Sequence, residues 1–311
     1  MKPVIIIGGP TGSGKSALAA SIGEEFEGVV INADSMQVYK GLEIISGAPG
    51  SYESSRCPHR LFGFLDPADT FSVGKWLSMA LDEIEMAHES GRLPVVVGGT
   101  GLYLRSLLYG LDAIPSVPEA VRKAVHSKMA LMGSDDMHVE LARVDPKSAA
   151  RISQGDKQRI KRALEVFEAT GKPLSVWQEG SKRDQYYDFF TLVILPDRQI
   201  LYRDCEQRFL EMLKAGALEE IRMLDSRGLN SDLTSMKALG IPQLIAHCHG
   251  ELDLDLAIEG AQRATRNYVK RQVTWFKNQI IANLLLKEKF SNNNRALIFS
   301  EISKFLLTAA G

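Results

Sequence analysis

Cysteine is scarce, long apolar runs are missing and net charge is almost nil, and each shortage removes a class of function. The three cysteines, Cys57, Cys205 and Cys248, are odd in number and far apart, which argues against a disulfide framework or a CxxC metal site. His247-Cys248-His249 completes no metal site, because adjacent helical residues point in different directions and no further Cys/His cluster accompanies them. No apolar stretch approaches the roughly 20 residues that span a bilayer. The N-terminus enters a strand at once, with no basic, then apolar, then small-residue leader, so the expected location is cytoplasmic. With 37 basic and 38 acidic residues the net charge is −1, so there is no global basic field and an RNA site would have to be a local patch. No internal repeat is present. The 311 residues, 45% hydrophobic and 24% charged, suffice for one large domain plus an insertion, or for two domains.

The stretch Gly9-Pro10-Thr11-Gly12-Ser13-Gly14-Lys15-Ser16 follows the apolar run Val4–Ile7 and opens the helix-competent Ala17-Leu18-Ala19-Ala20. It reads as strand, phosphate-binding loop, helix. The glycines let backbone N–H groups turn inward around a phosphate, Lys15 adds a positive charge, and the Ser16 hydroxyl is a ligand for Mg²⁺. Pro10 through Ser16 are therefore the expected diphosphate-binding residues, and Mg²⁺ the expected cofactor. The loop specifies a polyphosphate without saying which.

Val29-Val30-Ile31 is a second buried strand, ending in Asn32-Ala33-Asp34-Ser35. Short βαβ connections predict an α/β fold, a parallel sheet flanked by helices. Ligands bind beyond the carboxyl ends of such strands, so Asp34 is expected in the crevice of the phosphate loop. The Gly/Pro/Ser-rich stretch 46–55 reads as a mobile loop, and 72–90 as a helix capped by Ser72 and closed by Gly91. Val95-Val96-Val97 is the next strand; it ends in Gly98-Gly99-Thr100 rather than in the acidic metal ligand common at that place in an ATPase.

From Pro115 to about Asp188 the chain reads as an all-helical insertion, with helices starting at Asp145-Pro146 and at Asp156. The expected division is a discontinuous core, 1–114 and 189–311, around a helical insertion, 115–188. A strand returns at 191–195, followed by a helix over about 197–226 and a long helix over about 255–286 that interleaves Lys270, Arg271 and Lys277 with Tyr268, Trp275 and Phe276, a composition suited to phosphates and stacked bases. Asn292-Asn293-Asn294 is read as a break before a last helix over about 298–307.

With these pieces together, the chain resembles the bacterial tRNA dimethylallyltransferases over nearly its whole length. The resemblance rests on the phosphate loop, on Asp34 through Gly41, on Pro58-His59-Arg60, on Gly98 through Tyr103, on Asp145-Pro146 with Ala150-Arg151-Ile152, on Gln158-Arg159 through Lys172, on Leu201-Tyr202 to Phe209, and on Thr265 through Lys277. It implies that the loop holds a prenyl diphosphate, that the partner is the anticodon stem-loop of tRNA, that the chain acts as a monomer, and that the inserted helices bind tRNA. Asp34, Thr100 and Arg208 become the expected catalytic residues. Asp34, Ser35, Met36, Gln37, Thr100, Arg122, Gln158, Arg159, Ile160, Lys161, Arg162, Lys270, Arg271 and Lys277 become the expected tRNA contacts. The sequence departs from the family at Ala48, in place of lysine, at Asp204, in place of arginine, and at Ile241, in place of tyrosine.

An adenine exocyclic amine is a poor nucleophile, and Asp34 is the acid nearest the loop that could take its proton; the alternatives are that it caps a turn or holds Mg²⁺ through water. Thr100 reads either as a hydrogen-bonding group near the reacting atoms or as a turn former. Two rival functions remain open at this point, a small-molecule kinase with ATP in the loop and a non-catalytic RNA-binding protein.

Overall fold

A computed structural model describes residues 1–112, 114–178 and 186–309. Its centre is a six-stranded parallel sheet, β1 (Lys2–Gly8), β2 (Gly28–Asn32), β3 (His59–Arg60), β4 (Leu93–Gly98), β5 (Tyr187–Ile194) and β6 (Leu284–Leu286), in the order β3-β2-β4-β1-β5-β6. β1 is central, with Ile5 beside Val95 on one side and Phe190 on the other. A parallel sheet covered on both faces needs near-continuous apolar strands, and Val4 to Ile7 are all fully buried. Alternate side chains go to opposite layers. Val4 and Ile6 join Trp76, Ala80, Ile84, Leu104 and Phe276; Ile5 and Ile7 join Leu18, Ile22, Ile298 and Ile302.

The helices are α1 (Lys15–Glu25), α2 (Glu43–Ser46), α3 (Ser51–Arg56), α4 (Val73–Glu89), α5 (Gly101–Tyr109), α6 (Glu119–Val144), α7 (Pro146–Arg151), α8 (Lys157–Thr170), α9 (Leu174–Trp177), α10 (Arg198–Lys214), α11 (Ala217–Asp225), α12 (Ile241–Cys248), α13 (Leu254–Gln279) and α14 (Asn292–Ala309). One face of the sheet carries α4, α5 and the end of α13, the other α1 and α14. As its sequence indicates, α4 is capped by Ser72, whose Oγ accepts from Lys75 N–H at 3.2 Å. None of these helices is long and apolar enough to cross a membrane.

Four expectations are corrected. The stretch 46–55 is not an open loop, because α2 and α3 occupy much of it, with Gly47 (φ 62°) closing α2. The helix expected over 197–226 is two, broken at Gly216, whose φ of 105° lies where only glycine is unstrained. The helix expected to reach Leu286 stops at Gln279, and Leu284–Leu286 pair with Leu192–Ile194 as the sheet's outer strand. Asn292-Asn293-Asn294 begins α14 rather than preceding it: Asn294 accepts from Ser291 N–H at 3.0 Å.

The chain divides into two compact units, Met1–Leu108 with Gln185–Gly311, and Tyr109–Asp184. The second has its own core, where α6 and α8 bring together Val125, Met129, Leu141, Ile160, Ala163 and Leu164, and its described residues hold no strand. Asp145 caps α7 and is buried; it accepts from Ser148 and Ser175, and these bonds outweigh its burial and hold its carboxyl below the usual range. Residues 179–185, part of the expected insertion, lie outside the described residues.

Candidate active site

The phosphate loop runs from the carboxyl end of the central strand into α1, so its position follows from β1 being buried on both sides. Gly12 (φ 80°) and Gly14 (φ 85°) take the left-handed turns that curl the backbone. Among the described residues no acceptor takes the N–H of Gly14, Lys15 or Ser16, which leaves three donors at a helix N-terminus for an anion. Lys15 is 8% exposed; burial lowers its pKa, and the Asp34 charge opposes that shift. The Ser13 hydroxyl is buried with no partner among the described residues.

Asp34 follows β2 and is held by its neighbours. The Asn32 side chain accepts from Asp34 N–H at 2.8 Å and donates to the Asp34 and Leu61 carbonyls at 3.0 and 2.9 Å. Asp34 Oδ1 accepts from Met36 N–H at 3.0 Å. Its Oδ2 lies 3.3 Å from where a side chain on Gly99 would begin, so the glycine at the end of β4 leaves the carboxylate room. Thr100 Oγ1 accepts from Ser35 N–H at 2.9 Å and donates to Ser35 Oγ at 3.1 Å; its hydroxyl ties the two strand ends together. Gln37 is buried and spends its amide on the carbonyls of Ser46 and Gly47, at 3.2 and 2.8 Å, and Gly47 also accepts from Arg208 at 2.9 Å.

Thr11, Asp34, Cys205 and Arg208 line the polar end of a cavity of about 330 Å³, whose other wall includes Ile45, Phe209, Met212 and Leu239. α13 closes the site from the side. Gln272 accepts from Thr11 N–H at 2.9 Å and donates to the Gly99 carbonyl at 2.9 Å, clamping the phosphate loop to the end of β4. Trp275 packs so near Gly101 that a β-carbon there would stand 2.5 Å from its ring. Tyr268 also lines the cavity; burial pushes its hydroxyl pKa up, and the Arg271 guanidinium lies 5.7 Å from its ring centre. Among the described residues no group of three His, Cys, Asp or Glu could hold a metal ion. Mg²⁺ held mainly by diphosphate oxygens and water needs only one or two protein oxygens, and Ser16, half-buried in the first turn of α1, fits that sparse donor set.

The family described as IPP transferase matches residues 37–279, and that described as isopentenyl transferase matches residues 2–62. The tRNA dimethylallyltransferase of Rhodospirillum centenum is 50% identical over 283 residues, 90% of each chain, and that of Paramagnetospirillum magneticum is 45% identical over 308 residues, 99% of this chain and 98% of the relative. The chain belongs to the tRNA dimethylallyltransferase family. Among solved structures, the fold is similar to a eukaryotic dimethylallyltransferase acting on tRNA, with a TM-score of 0.82, 27% identity and 98% and 80% of the two chains covered. It is also similar to the tRNA isopentenylpyrophosphate transferase of Bacillus halodurans, with a TM-score of 0.68, 30% identity and 99% and 96% covered.

Within this tRNA dimethylallyltransferase fold the remaining expected residues fall on two helical surfaces. Lys270, Arg271 and Lys277 are exposed on α13. In the smaller unit Arg122, Gln158 and Arg159 are exposed and Lys161 and Arg162 half-buried. Arg159 lies 3.4 Å from Asp156, and Arg162 3.7 Å from Glu165. Ile160 is fully buried in that unit's core, so its side chain packs the helix and offers RNA nothing; this corrects the expectation for it. Of the departures, Ile241 is buried in the core around Phe209, and Asp204 pairs with Lys289. Gln272 was not singled out as functional, although a signal exists: with Val269, Val273 and Phe276 it completes an i, i+3, i+4, i+7 stripe of buried residues in which it alone is polar.

Proposed function

We propose that this chain transfers a dimethylallyl group from dimethylallyl diphosphate to the exocyclic amine of the adenosine 3′ of the anticodon in tRNA, releasing pyrophosphate. The observation that carries the reading is the cavity in which phosphate loop, carboxylate and apolar wall meet. A short prenyl diphosphate matches that pairing of chemistries, with its charge at Thr11 and Arg208 and its hydrocarbon toward Phe209 and Met212.

In the reaction the amine nitrogen attacks the allylic carbon, the carbon–oxygen bond breaks and pyrophosphate leaves with the bonding pair. Asp34 takes the amine proton; burial and two-sided anchoring hold the carboxylate in place without blocking Oδ2. The open N–H groups of Gly14, Lys15 and Ser16, with the Lys15 ammonium and Arg208, stabilise charge building on the leaving oxygen. When bound at Ser16, Mg²⁺ would supply further charge neutralisation there. Thr100 and Gln37 act by positioning, the first fixing Ser35 beside Asp34, the second fixing the Gly47 carbonyl that orients Arg208. The target base has to leave its stack, at a cost of a few kcal/mol, and Tyr268 and Arg271 at the cavity wall are the stacking groups offered to it.

The test is incubation with an anticodon stem-loop and dimethylallyl diphosphate, read by mass spectrometry. A gain of one dimethylallyl group on the adenosine is expected. No transfer, together with thermal stabilisation by ATP and none by the prenyl diphosphate, would favour a kinase instead.

A further inference from the structure

Gly14 is overhung by the segment joining β6 to α14. A side chain on Gly14 would start 3.8 Å from the Phe290 nitrogen and 4.0 Å from Lys289 Cβ. That segment is anchored: buried Asn294 donates to the Lys289 carbonyl at 2.8 Å, and Phe290 packs on the core that holds Ile298 and Ile302. Lys289 therefore stands at the rim of the phosphate loop by construction. Its ammonium pairs with Asp204 of α10, which also lies 3.7 Å from Arg203. The next residue, Cys205, donates its Sγ–H to the Thr11 carbonyl at 3.5 Å and feels the charges of Arg208, Lys15 and Lys289 together. Lys289 thus acts on the same thiol, at the loop's Thr11, as Lys15 and Arg208 do.

The geometry points to Lys289 as a second ammonium for the diphosphate, held beside the loop by Asp204 and passed to the phosphate oxygens when the donor binds. This deepens the donor-site reading of the loop and rests on it. Lys15 and Arg208 are the other side-chain cations offered to that diphosphate, whose several oxygens leave acceptors for a further ammonium beside them and Mg²⁺. The Asp204 and Lys289 side chains are 27% and 38% exposed, and an ion pair so open to water is weak and readily exchanged. Ammonium–phosphate hydrogen bonds are stronger. Lys289 would be a donor-binding residue and Asp204 the group that positions it.

Calorimetric titration with inorganic pyrophosphate tests this, since pyrophosphate presents the leaving group alone. Lys289→Ala is expected to raise Kd about tenfold or more, the usual scale for a lost hydrogen bond to a charged group, and Lys289→Arg to restore most of the affinity. Asp204→Asn is expected to lower Kd by about threefold, because it removes the competing anion. If the pair merely straps α10 to the segment after β6, Asp204→Asn and Lys289→Ala weaken pyrophosphate alike, and the assignment falls. An unchanged Kd in Lys289→Ala beside a raised one in Lys15→Ala also overturns it, while leaving the donor-site reading intact. Unchanged values in both remove the donor-site reading as well.

Discussion

Replacing Asp34 by asparagine removes a proton acceptor and little else, since an amide oxygen can still accept from Met36 N–H and the Asn32 bracket acts on the backbone. Turnover is expected to fall by about 10² to 10⁴ in a single-turnover assay while both substrates still bind; near-wild-type turnover would take Asp34 out of the mechanism. Lys15 gives a second prediction. Burial depresses its pKa below the ordinary lysine value, so between that depressed value and about 10.4 the unfolded chain binds the proton that the folded chain has lost. Stability contributed by this group therefore rises with pH across that window, while pyrophosphate affinity, which needs the ammonium, falls. In Lys15→Arg the charge persists and the alkaline loss of affinity should vanish, even if affinity is lower throughout; its persistence would assign the titration elsewhere. The positions of both were legible because Asp34 closely follows, and the loop carrying Lys15 continues, a strand that an apolar run reveals. The tertiary partners of Thr100 and Gln37 were not, because a hydroxyl or amide bonding a distant backbone leaves no periodic trace.

Two helices, α8 and α13, present the basic groups expected to meet tRNA, and they can be tested separately. Charge reversal at Lys270 and Arg271 on α13, or at Arg159 and Arg162 on α8, is expected to weaken tRNA binding and to flatten its log–log salt dependence by up to about 0.9 per lost contact on duplex and 0.7 on single strand. Pyrophosphate affinity should not follow. An unaltered salt slope in either double variant would clear that helix of phosphate contacts. On its inner side α13 is a packing element: Gly101→Ala would drive a methyl into the Trp275 ring, with a cost of about 1–3 kcal/mol, read by thermal denaturation. The apolar period of α13 was readable, but its end was not, because Ile280, Ile281 and Leu284 to Leu286 continue an apolar pattern after the helix stops. What turns those last residues into strand is the exposed edge of β5, a partner some 90 residues earlier. Similarly, Gly216 breaks α10 from α11 at one residue, which a window of helix formers on both sides conceals.

At the scale of the molecule, each of the two units has a core of its own, and damage can be confined to one. Leu141, fully buried between α6 and α8, should cost about 2–5 kcal/mol when cut to alanine; hydrogen exchange is expected to rise in 119–170, with tRNA affinity reduced and pyrophosphate binding kept. Loss of pyrophosphate binding as well would make the chain one cooperative block. The division itself was visible in sequence as a loss of strand pattern and its return at 191–195, whereas the closure of the sheet's edge by β6 was not, since pairing partners distant along the chain leave no local signature. That long-range closure has a temporal side. The Thr11 N–H finds its acceptor in Gln272, 261 residues later, and a ribosome adding about 5–20 residues per second takes roughly 13 to 50 s to supply it. The phosphate loop is synthesised well before the residue that completes it, so a nascent chain arrested before α13 carries the motif without the clamp that shapes it.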